Sequence, residues 1–390
     1  MDELRTVREA YGDTAPPTMT EIAQARALWE EKPPRRFRLG RPFRIGLGAV
    51  AAGAAAAVAI AVAGQGTPDR PERPDPAPGI DLNEKAVLAA ASKAELAPTG
   101  EYWYSDVVSG QSYIVKPKSG GAYAITGAAS ELFGWHGVRR GSGEMYYGRD
   151  LPARPLTARD AAAWREDGSP SSFRVWSGDH YATYTTKATR WRSDGPNTGL
   201  DPKGGGTFSL GLSAEELREL PTSPSELAER FLDEKGTSKE SRFLRLTGGR
   251  LPRALPNLKL QTVGALLAGP TPPKVKAGLM RALATQPGVH AVGRVTDPVG
   301  RQGVALAADP LSYTDNGEYG TAKSEQGTYW ARYVIVFDER SGALLSLQRE
   351  LAVPGGPYRT QRPGFVIDYQ LYRGSGWTNT KPSPPAELPF

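Results

Sequence analysis

The chain has 390 residues, a formal net charge of +6, 34 prolines and no cysteine. The lack of cysteine excludes disulfides, zinc–thiolate sites, iron–sulfur clusters and cysteine nucleophiles. Apart from one arginine cluster the basic residues are spread along the chain, so the positive charge indicates a solvated surface rather than a nucleic-acid-binding site.

Residues 1–44 contain two short helical patterns. In the second, the capping-box pair Thr18 and Glu21 precedes the apolar positions. The apolar positions of the two patterns are Leu4, Val7, Tyr11, Ile22, Leu28 and Trp29. Isolated helices shorter than ~12–15 residues are marginal in water, so these either dock on a partner or stay largely unstructured. We expect these positions to form a face for a cytoplasmic partner.

Residues 45–63 form a run of nineteen residues without a charge. Its main hydrophobic contributors are Ile45, Leu47, Val50, Val58, Ile60 and Val62. A helix of this length reaches about 28 Å, close to the ~30 Å hydrocarbon thickness of a bilayer. We expect a retained transmembrane signal-anchor. The alternatives are cleavage after Ala63, which closes an A-x-A site, and a twin-arginine signal at Arg35 and Arg36.

The flanking charges predict the orientation of this span. Five arginines precede it, namely Arg35, Arg36, Arg38, Arg41 and Arg44. The positive-inside rule places the side rich in arginine in the cytoplasm. The predicted organisation is a cytoplasmic segment 1–44, a transmembrane helix 45–63, a proline-rich extended linker 64–79 and an extracytoplasmic domain 80–390.

Residues 80–390 alternate between helical and strand patterns. A helix with Asp81 near its N-cap comes first, and aromatic and β-branched runs follow as far as residue 176. Two helical stretches lie at 212–235 and 258–288, and runs typical of paired strands lie between residues 289 and 378. This order predicts an α+β fold with one antiparallel sheet and helices on one face.

Five stretches carry a family resemblance. They are the opening MDELRTVREAYG, AAAWREDGSP at 161–170, LPTSPSELAERFL at 220–232, residues 272–306, and VFDERSGALLSLQ at 336–348. On these the chain resembles an actinobacterial family of uncharacterised single-pass membrane proteins, several of them encoded beside sigma-factor genes. The resemblance implies an outer domain similar to the lipoprotein-carrier half-barrel, in which a curved antiparallel sheet wraps helices around an apolar cavity.

The motif residues within these stretches are predicted to make turns and core contacts rather than to bind a ligand, because Asp and Gly suit short loops between strands. They are Trp164, Gly168, Pro170, Asp297, Gly300, Arg301, Gly303, Asp338 and Gly342.

The sequence contains none of the common catalytic motifs. There is no phosphate loop, HExxH zinc pair, nucleophile elbow or SxxK pair. The three histidines, His136, His180 and His290, show no metal-ligand spacing. We therefore expect no catalytic residues, metal or cofactor. A carboxylate pair for glycoside hydrolysis stays open, because its separation is a three-dimensional quantity.

Aromatic residues are frequent between residues 102 and 147, where either core packing or a binding role could explain them. In a binding role they would line a lipid cavity or stack on sugar rings. They are Tyr102, Trp103, Tyr104, Tyr113, Tyr123, Phe133, Trp135, Tyr146 and Tyr147. Core packing is favoured, because sheets accept aromatic side chains readily.

These features lead to one main expectation about function. The outer domain binds an envelope lipid, lipoprotein or protein, and the cytoplasmic segment passes the signal to a partner such as a sigma factor. The first alternative is a membrane-tethered lipid or lipoprotein carrier without signalling. The second alternative is an envelope hydrolase.

Overall fold

The computed structural model describes most of the chain from residue 81 onward. The described ranges are 81–118, 120–139, 141–177, 180–194, 208–236, 238–241, 244, 251–318 and 320–390. The predicted partner face, arginine cluster, membrane span and linker all lie outside them. In the described ranges no helix has both the length and the apolar character that a bilayer crossing requires.

The described residues form six α-helices and thirteen strands. The helices are α1 Leu82–Ala94, α2 Ala158–Glu166, α3 Ala214–Arg218, α4 Pro224–Phe231, α5 Leu255–Ala268 and α6 Pro273–Ala284. The first seven strands are β1 Tyr102–Val115, β2 Tyr123–Gly137, β3 Glu144–Asp150, β4 Arg154–Pro155, β5 Ser172–Trp176, β6 Tyr181–Thr185 and β7 Arg192–Asp194. The remaining six are β8 Val289–Thr296, β9 Gln302–Ala308, β10 Leu311–Asp315, β11 Gly327–Phe337, β12 Leu344–Val353 and β13 Val366–Thr378.

Local sequence signals explain where the helices begin. The Asp81 carboxylate accepts a hydrogen bond from the Asn83 amide at 2.8 Å, which confirms the predicted start of α1. Helix α2 begins with a capping box between Thr157 and Asp160. Helices α4, α5 and α6 each carry a proline in the first turn, where the missing amide hydrogen is not needed.

Eleven strands form one sheet in which every pair is antiparallel. The order along the sheet is β7-β3-β2-β1-β13-β12-β11-β9-β8, with β10 paired to β11 and β4 to β2. A separate hairpin pairs β5 with β6. The order starts at β7 and ends at β8, so the described strands do not close into a barrel. The predicted α+β class with a large antiparallel sheet is confirmed.

The main core lies between the helices and the half of the sheet that holds β8, β9, β11 and β12. Helix α6 packs against α1, α4 and α5, and α5 packs against β9, β11 and β12. The largest fully buried core side chains include Phe231 and Leu260 from the helices and Phe337 from the sheet. This half is closely packed, whereas the helix-side surface of β1, β13 and the ends of β11 and β12 is only partly covered.

Candidate functional site

The TDPVGRQG motif closes the β8–β9 hairpin. The buried Asp297 carboxylate accepts hydrogen bonds from the Val299 and Arg301 amides at 3.1 and 2.8 Å and from Arg301 Nε at 2.7 Å. Gly300 has a φ of +88°, a backbone conformation that favours glycine. Gly303 lies where a Cβ atom would collide with the carbonyl of Phe337. All these contacts are within the protein.

The turn between β11 and β12 is built in the same way and lies next to it. The Asp338 carboxylate accepts from the Arg340 and Ser341 amides at 3.0 and 2.7 Å. Gly342 has a φ of +69° and packs against the Ala90 carbonyl of α1. Arg301 links the two turns through a 3.0 Å hydrogen bond from Nη2 to the Leu345 carbonyl.

The third motif lies elsewhere, between α2 and β5. Trp164 Nε1 donates to the Pro170 carbonyl at 3.1 Å, and its ring packs against a small cluster around Tyr123 and Phe173. Gly168 has a φ of +82° in the turn between α2 and β5. The structure therefore brings two of the three motif groups together.

Two histidines contact neighbouring side chains. The His136 ring meets Tyr146 and Phe208 edge to face at centroid distances of 4.9 and 5.0 Å. His290 Nε2 lies 3.0 Å from an Asp309 oxygen. In the described part of the chain no group of three His, Asp or Glu residues is arranged to hold a metal ion.

The aromatic block between residues 102 and 147 is mostly core. The buried members are Trp103, Tyr113, Tyr123, Phe133, Trp135 and Tyr146. Tyr102, Tyr104 and Tyr147 are half-buried. Tyr113 alone among them faces the recess described next.

The central strands carry a half-buried polar face on their helix side, here called the recess. In β1, Ser109 and Gln111 are half-buried while their neighbours Val108, Gly110 and Ser112 are buried. Strand β13 repeats the pattern, with half-buried Asp368 and Gln370 alternating with buried Ile367, Tyr369 and Leu371. Register places Ser109 opposite Gln370 and Gln111 opposite Asp368. The half-buried rows therefore share one face, so the recess floor is polar.

An ion pair lies at the floor of this recess. Arg349 of β12 and Asp368 of β13 are directly opposite in register, and Arg349 Nη2 contacts Asp368 Oδ2. The Arg349 side chain is 12% exposed and the Asp368 side chain 31% exposed, so water reaches both. Burial raises the pKa of the Asp368 carboxyl, and the Arg349 charge opposes that rise. Arg349 Nε is buried and has no hydrogen-bond partner in the described residues.

Tyrosines surround the ion pair. Tyr313 and Tyr329 stack at 5.4 Å with nearly parallel rings, and Tyr358 meets Tyr329 edge to face at 4.9 Å. The Arg349 guanidinium lies 5.4 Å from the centre of the Tyr313 ring. Tyr333 lies opposite Arg349 in the β11–β12 register. These contacts create several aromatic surfaces beside one fixed positive charge.

The tyrosine hydroxyls are suited to donate hydrogen bonds rather than to act as bases. Burial raises the pKa of Tyr329 to about 12 and also raises the pKa of Tyr333 and Tyr358. All three therefore stay protonated at neutral pH. Among the described residues, none of these three hydroxyls has a protein hydrogen-bond partner, and none is sealed from solvent. They remain available to a bound molecule.

The β5–β6 hairpin forms one wall of the recess. The Tyr113 hydroxyl bonds with Ser177 Oγ at 2.8 Å and with the Tyr184 hydroxyl at 3.1 Å. Trp176 Nε1 donates to Thr321 Oγ1 at 3.2 Å, which ties the hairpin to the loop after β10. Polar contacts therefore hold this wall in place.

The sequence alone did not indicate this site. One signal was present: in LLSLQRELAV, Leu347, Arg349 and Leu351 share a face, so a charge falls at an inward position of a buried strand. An ionisable residue at such a position is rarely buried without a partner or a function. Its partner Asp368 could not be identified without the β12–β13 register.

Comparison with family models, with curated proteins and with solved structures found no match for this chain.

Proposed function

We propose that the domain formed by residues 81–390 is a ligand-binding module and that the recess is its binding site. The observation that supports this is the buried Arg349 Nε, which has no hydrogen-bond partner in the described residues, beside the hydroxyls of Tyr329, Tyr333 and Tyr358, which are free to bond a ligand. Most buried polar groups in proteins have partners, so the unpaired Nε supports a bound molecule at this position.

The proposed ligand is a saccharide of the cell envelope. The recess offers protonated hydroxyls, the amides of Gln111 and Gln370 and flat tyrosine rings, which suit a molecule with many hydroxyl groups and apolar ring faces. An acyl chain would leave these groups unpaired, at about 1–3 kcal/mol for each buried group. The polar lining thus favours a sugar over the lipid of a carrier protein.

We further propose that the sheet is a curved half-barrel of the lipoprotein-carrier type. Support comes from one continuous antiparallel sheet whose helices pack on a single face. In this proposal the carrier architecture is kept while its cavity takes a polar ligand.

Titration calorimetry tests the binding proposal. The probe is a soluble N-acetylglucosamine tetrasaccharide added to the full chain and to Tyr333→Phe, which removes one free hydroxyl and keeps the ring. Loss of one hydrogen bond should weaken binding about fivefold to tenfold. The matched control is Tyr104→Phe, a half-buried tyrosine of β1 on the opposite face of the sheet.

Two results would contradict the proposal. One is equal weakening in both variants. The other is no binding of any soluble oligosaccharide while native mass spectrometry detects a co-purifying lipid, which would favour the carrier alternative.

We also propose that residues 1–79 hold the domain at the outer surface of the cell membrane, with residues 1–44 in the cytoplasm. Support comes from the charge-free run at 45–63 and the five arginines before it. An N-terminal tag should be protected from external protease in intact cells. A mature N-terminus at Gly64 would contradict this proposal.

A regulatory role follows if the cytoplasmic segment binds a sigma factor. Its support is the two patterned helices and the resemblance to proteins encoded beside sigma-factor genes. Residues 1–44 should retain a sigma factor in a pull-down, and their deletion should alter sigma-dependent transcription. Unchanged transcription together with an empty pull-down would remove this role and leave the binding module.

A further inference from the structure

The helix-free face of the sheet carries a C-terminal segment of its own chain, which bends at Ala386 and Glu387. This segment, residues 379–390 (NTKPSPPAELPF), is here called the strap. It contains neither helix nor strand. Its four prolines, Pro382, Pro384, Pro385 and Pro389, are half-buried, whereas Ser383, Ala386, Glu387 and Leu388 are exposed. The sheet therefore contacts the proline side of the strap and leaves the other side in water.

The sheet contacts the main chain of the strap at three consecutive carbonyl oxygens. Trp191 Nε1 donates to the Pro385 carbonyl at 2.8 Å. Arg149 donates from Nη1 to Ala386 at 3.2 Å and from Nη2 to Glu387 at 2.5 Å. Arg373 Nη1 also reaches the Glu387 carbonyl, at 3.2 Å. None of these contacts depends on a side chain of the strap.

The donors are held in position by the core, independently of the strap. Arg149 Nε and Arg373 Nη1 lie 2.5 and 2.6 Å from the two oxygens of Glu131, whose side chain is fully buried. The Arg149 side chain is 4% exposed, and the Trp191 ring lies 4.3 Å from its guanidinium. The strap carbonyls are the acceptors for the outer nitrogens of Arg149. The groove is therefore matched to a main-chain ligand.

An aromatic anchor ends the contact. Phe390 packs against the cluster formed by Val108, Ala129, Leu151, Tyr369 and Leu371. The Arg154 guanidinium covers its ring at 3.9 Å. Leu388, two residues earlier, is 40% exposed and serves as a control position within the same segment.

We propose that this groove is a binding site for a proline-rich segment of a partner polypeptide, and that the strap occupies it in this structure. An indole N–H and guanidinium donors aimed at three successive carbonyls suit a chain without helix or strand, because its carbonyls have no main-chain hydrogen bonds of their own. The four hydrogen bonds from Trp191, Arg149 and Arg373 use only main-chain atoms of the strap, so a second segment of the same chemistry can replace it.

Fluorescence anisotropy tests the exchange. The probe is a labelled peptide of the strap sequence, added to the full-length protein and to its Phe390→Ala and Leu388→Ala variants. The tethered strap competes with the probe, and Phe390→Ala weakens this competition. The variant should therefore bind the peptide at least about tenfold more tightly than the wild type does. Leu388→Ala should bind like the wild type. A peptide with its four prolines replaced by alanine should bind more weakly.

A second substitution tests the groove itself. Trp191→Phe in the Phe390→Ala background keeps an aromatic ring and removes one donor, so peptide affinity should fall about fivefold to tenfold. Circular dichroism and the melting temperature establish that each variant is folded. If Phe390→Ala does not fold, hydrogen exchange of the wild type takes its place. The amides of Ala386, Glu387 and Leu388 should then exchange before those of β1 and should exchange faster when peptide is added.

Four results would overturn the proposal. The first is a folded Phe390→Ala protein that does not bind the peptide. The second is equal binding of the proline-free peptide, and the third is strap amides that exchange only with global unfolding. The fourth is concentration-dependent dimerisation of Phe390→Ala without peptide binding, which would make the occupant a second copy of this chain.

Discussion

At the scale of single residues, the buried charges below the strap set a pH dependence. Asp106 of β1 lies beside Glu131, Arg149 and Arg373, and one of its oxygens has no hydrogen-bond partner in the described residues. Burial, with the nearby Glu131 charge, raises the pKa of Asp106 to about 7, and Arg373 opposes the rise. The folded protein thus keeps a proton on Asp106 that the unfolded chain releases near pH 3.8.

The sign of the stability change follows from this difference. Between pH 3.8 and 7 the folded state binds more protons, so the free energy of unfolding falls as pH rises and levels off above about pH 7. Asp106→Asn removes the titrating group. From pH 5 to pH 8 the unfolding free energy of the wild type should fall, and that of the variant should fall less. The difference between the two changes should be about 1–3 kcal/mol. Denaturant unfolding at the two pH values measures this. The control is Glu84→Gln, at an exposed position of α1. A wild-type pH dependence in Asp106→Asn would refute the argument.

In the turn between β11 and β12, one glycine position is sensitive to substitution. Gly342 combines a φ of +69° with close contact to the Ala90 carbonyl of α1. Gly342→Ala should therefore lower the free energy of unfolding by more than the ~1–3 kcal/mol that backbone strain alone would cost. Gly300→Ala is the matched control, because Gly300 has a φ of +88° and open space around it. If Gly342→Ala and Gly300→Ala lower the denaturation midpoint by the same amount, the contact with α1 contributes nothing to stability.

At the scale of elements, α6 is the helix on which the helical layer depends. It packs against α1, α4 and α5, and eight of its twelve residues are buried. Leu283 is fully buried within this layer. Leu283→Ala should lower the unfolding free energy by about 2–5 kcal/mol, from lost apolar burial and the cavity left behind. Lys274→Ala, at an exposed position of the same helix, should have little effect. Similar melting temperatures for the two variants would contradict this role of α6.

The elements also show which local signals were sufficient. The helices have caps or first-turn prolines that act within a few residues, so α1, α5 and α6 could be predicted from sequence. Strands β6, β7 and β10 are short and lack an unbroken apolar run, so their pairing partners define them. Helix α2 has a capping box but no buried residue, so no apolar stripe marked it.

At the scale of the whole molecule, β13 joins the two ends of the described chain. It lies between β1 and β12, so the last strand in sequence is central in the sheet. Pairing across such a sequence separation is slow to form, because loop-closure entropy is lost before the contacts stabilise it.

This topology predicts different effects for two truncations. A chain that stops after Phe365 lacks β13, so it should fail to fold and should remain sensitive to protease. A chain that stops after Thr378 lacks only the strap and should keep the sheet, with a lower melting temperature because Arg149 loses its acceptors. Circular dichroism and limited proteolysis distinguish the two. A folded protein without β13 would contradict the central role of this strand.

Features that depend on near neighbours could be predicted from the amino-acid sequence. These are the α+β class, the positions of the main helices and the Asp–Gly turns, because caps, periodicity and turn chemistry act over a few residues. The recess and the strap groove could not be predicted, because they depend on contacts between distant parts of the chain. Arg349 meets Asp368, and Arg149 meets Glu131, through strand registers. The strap reaches Trp191 and Arg149 from the far end of the described chain. Such pairings are fixed by long-range hydrogen bonding and packing, which no local pattern encodes.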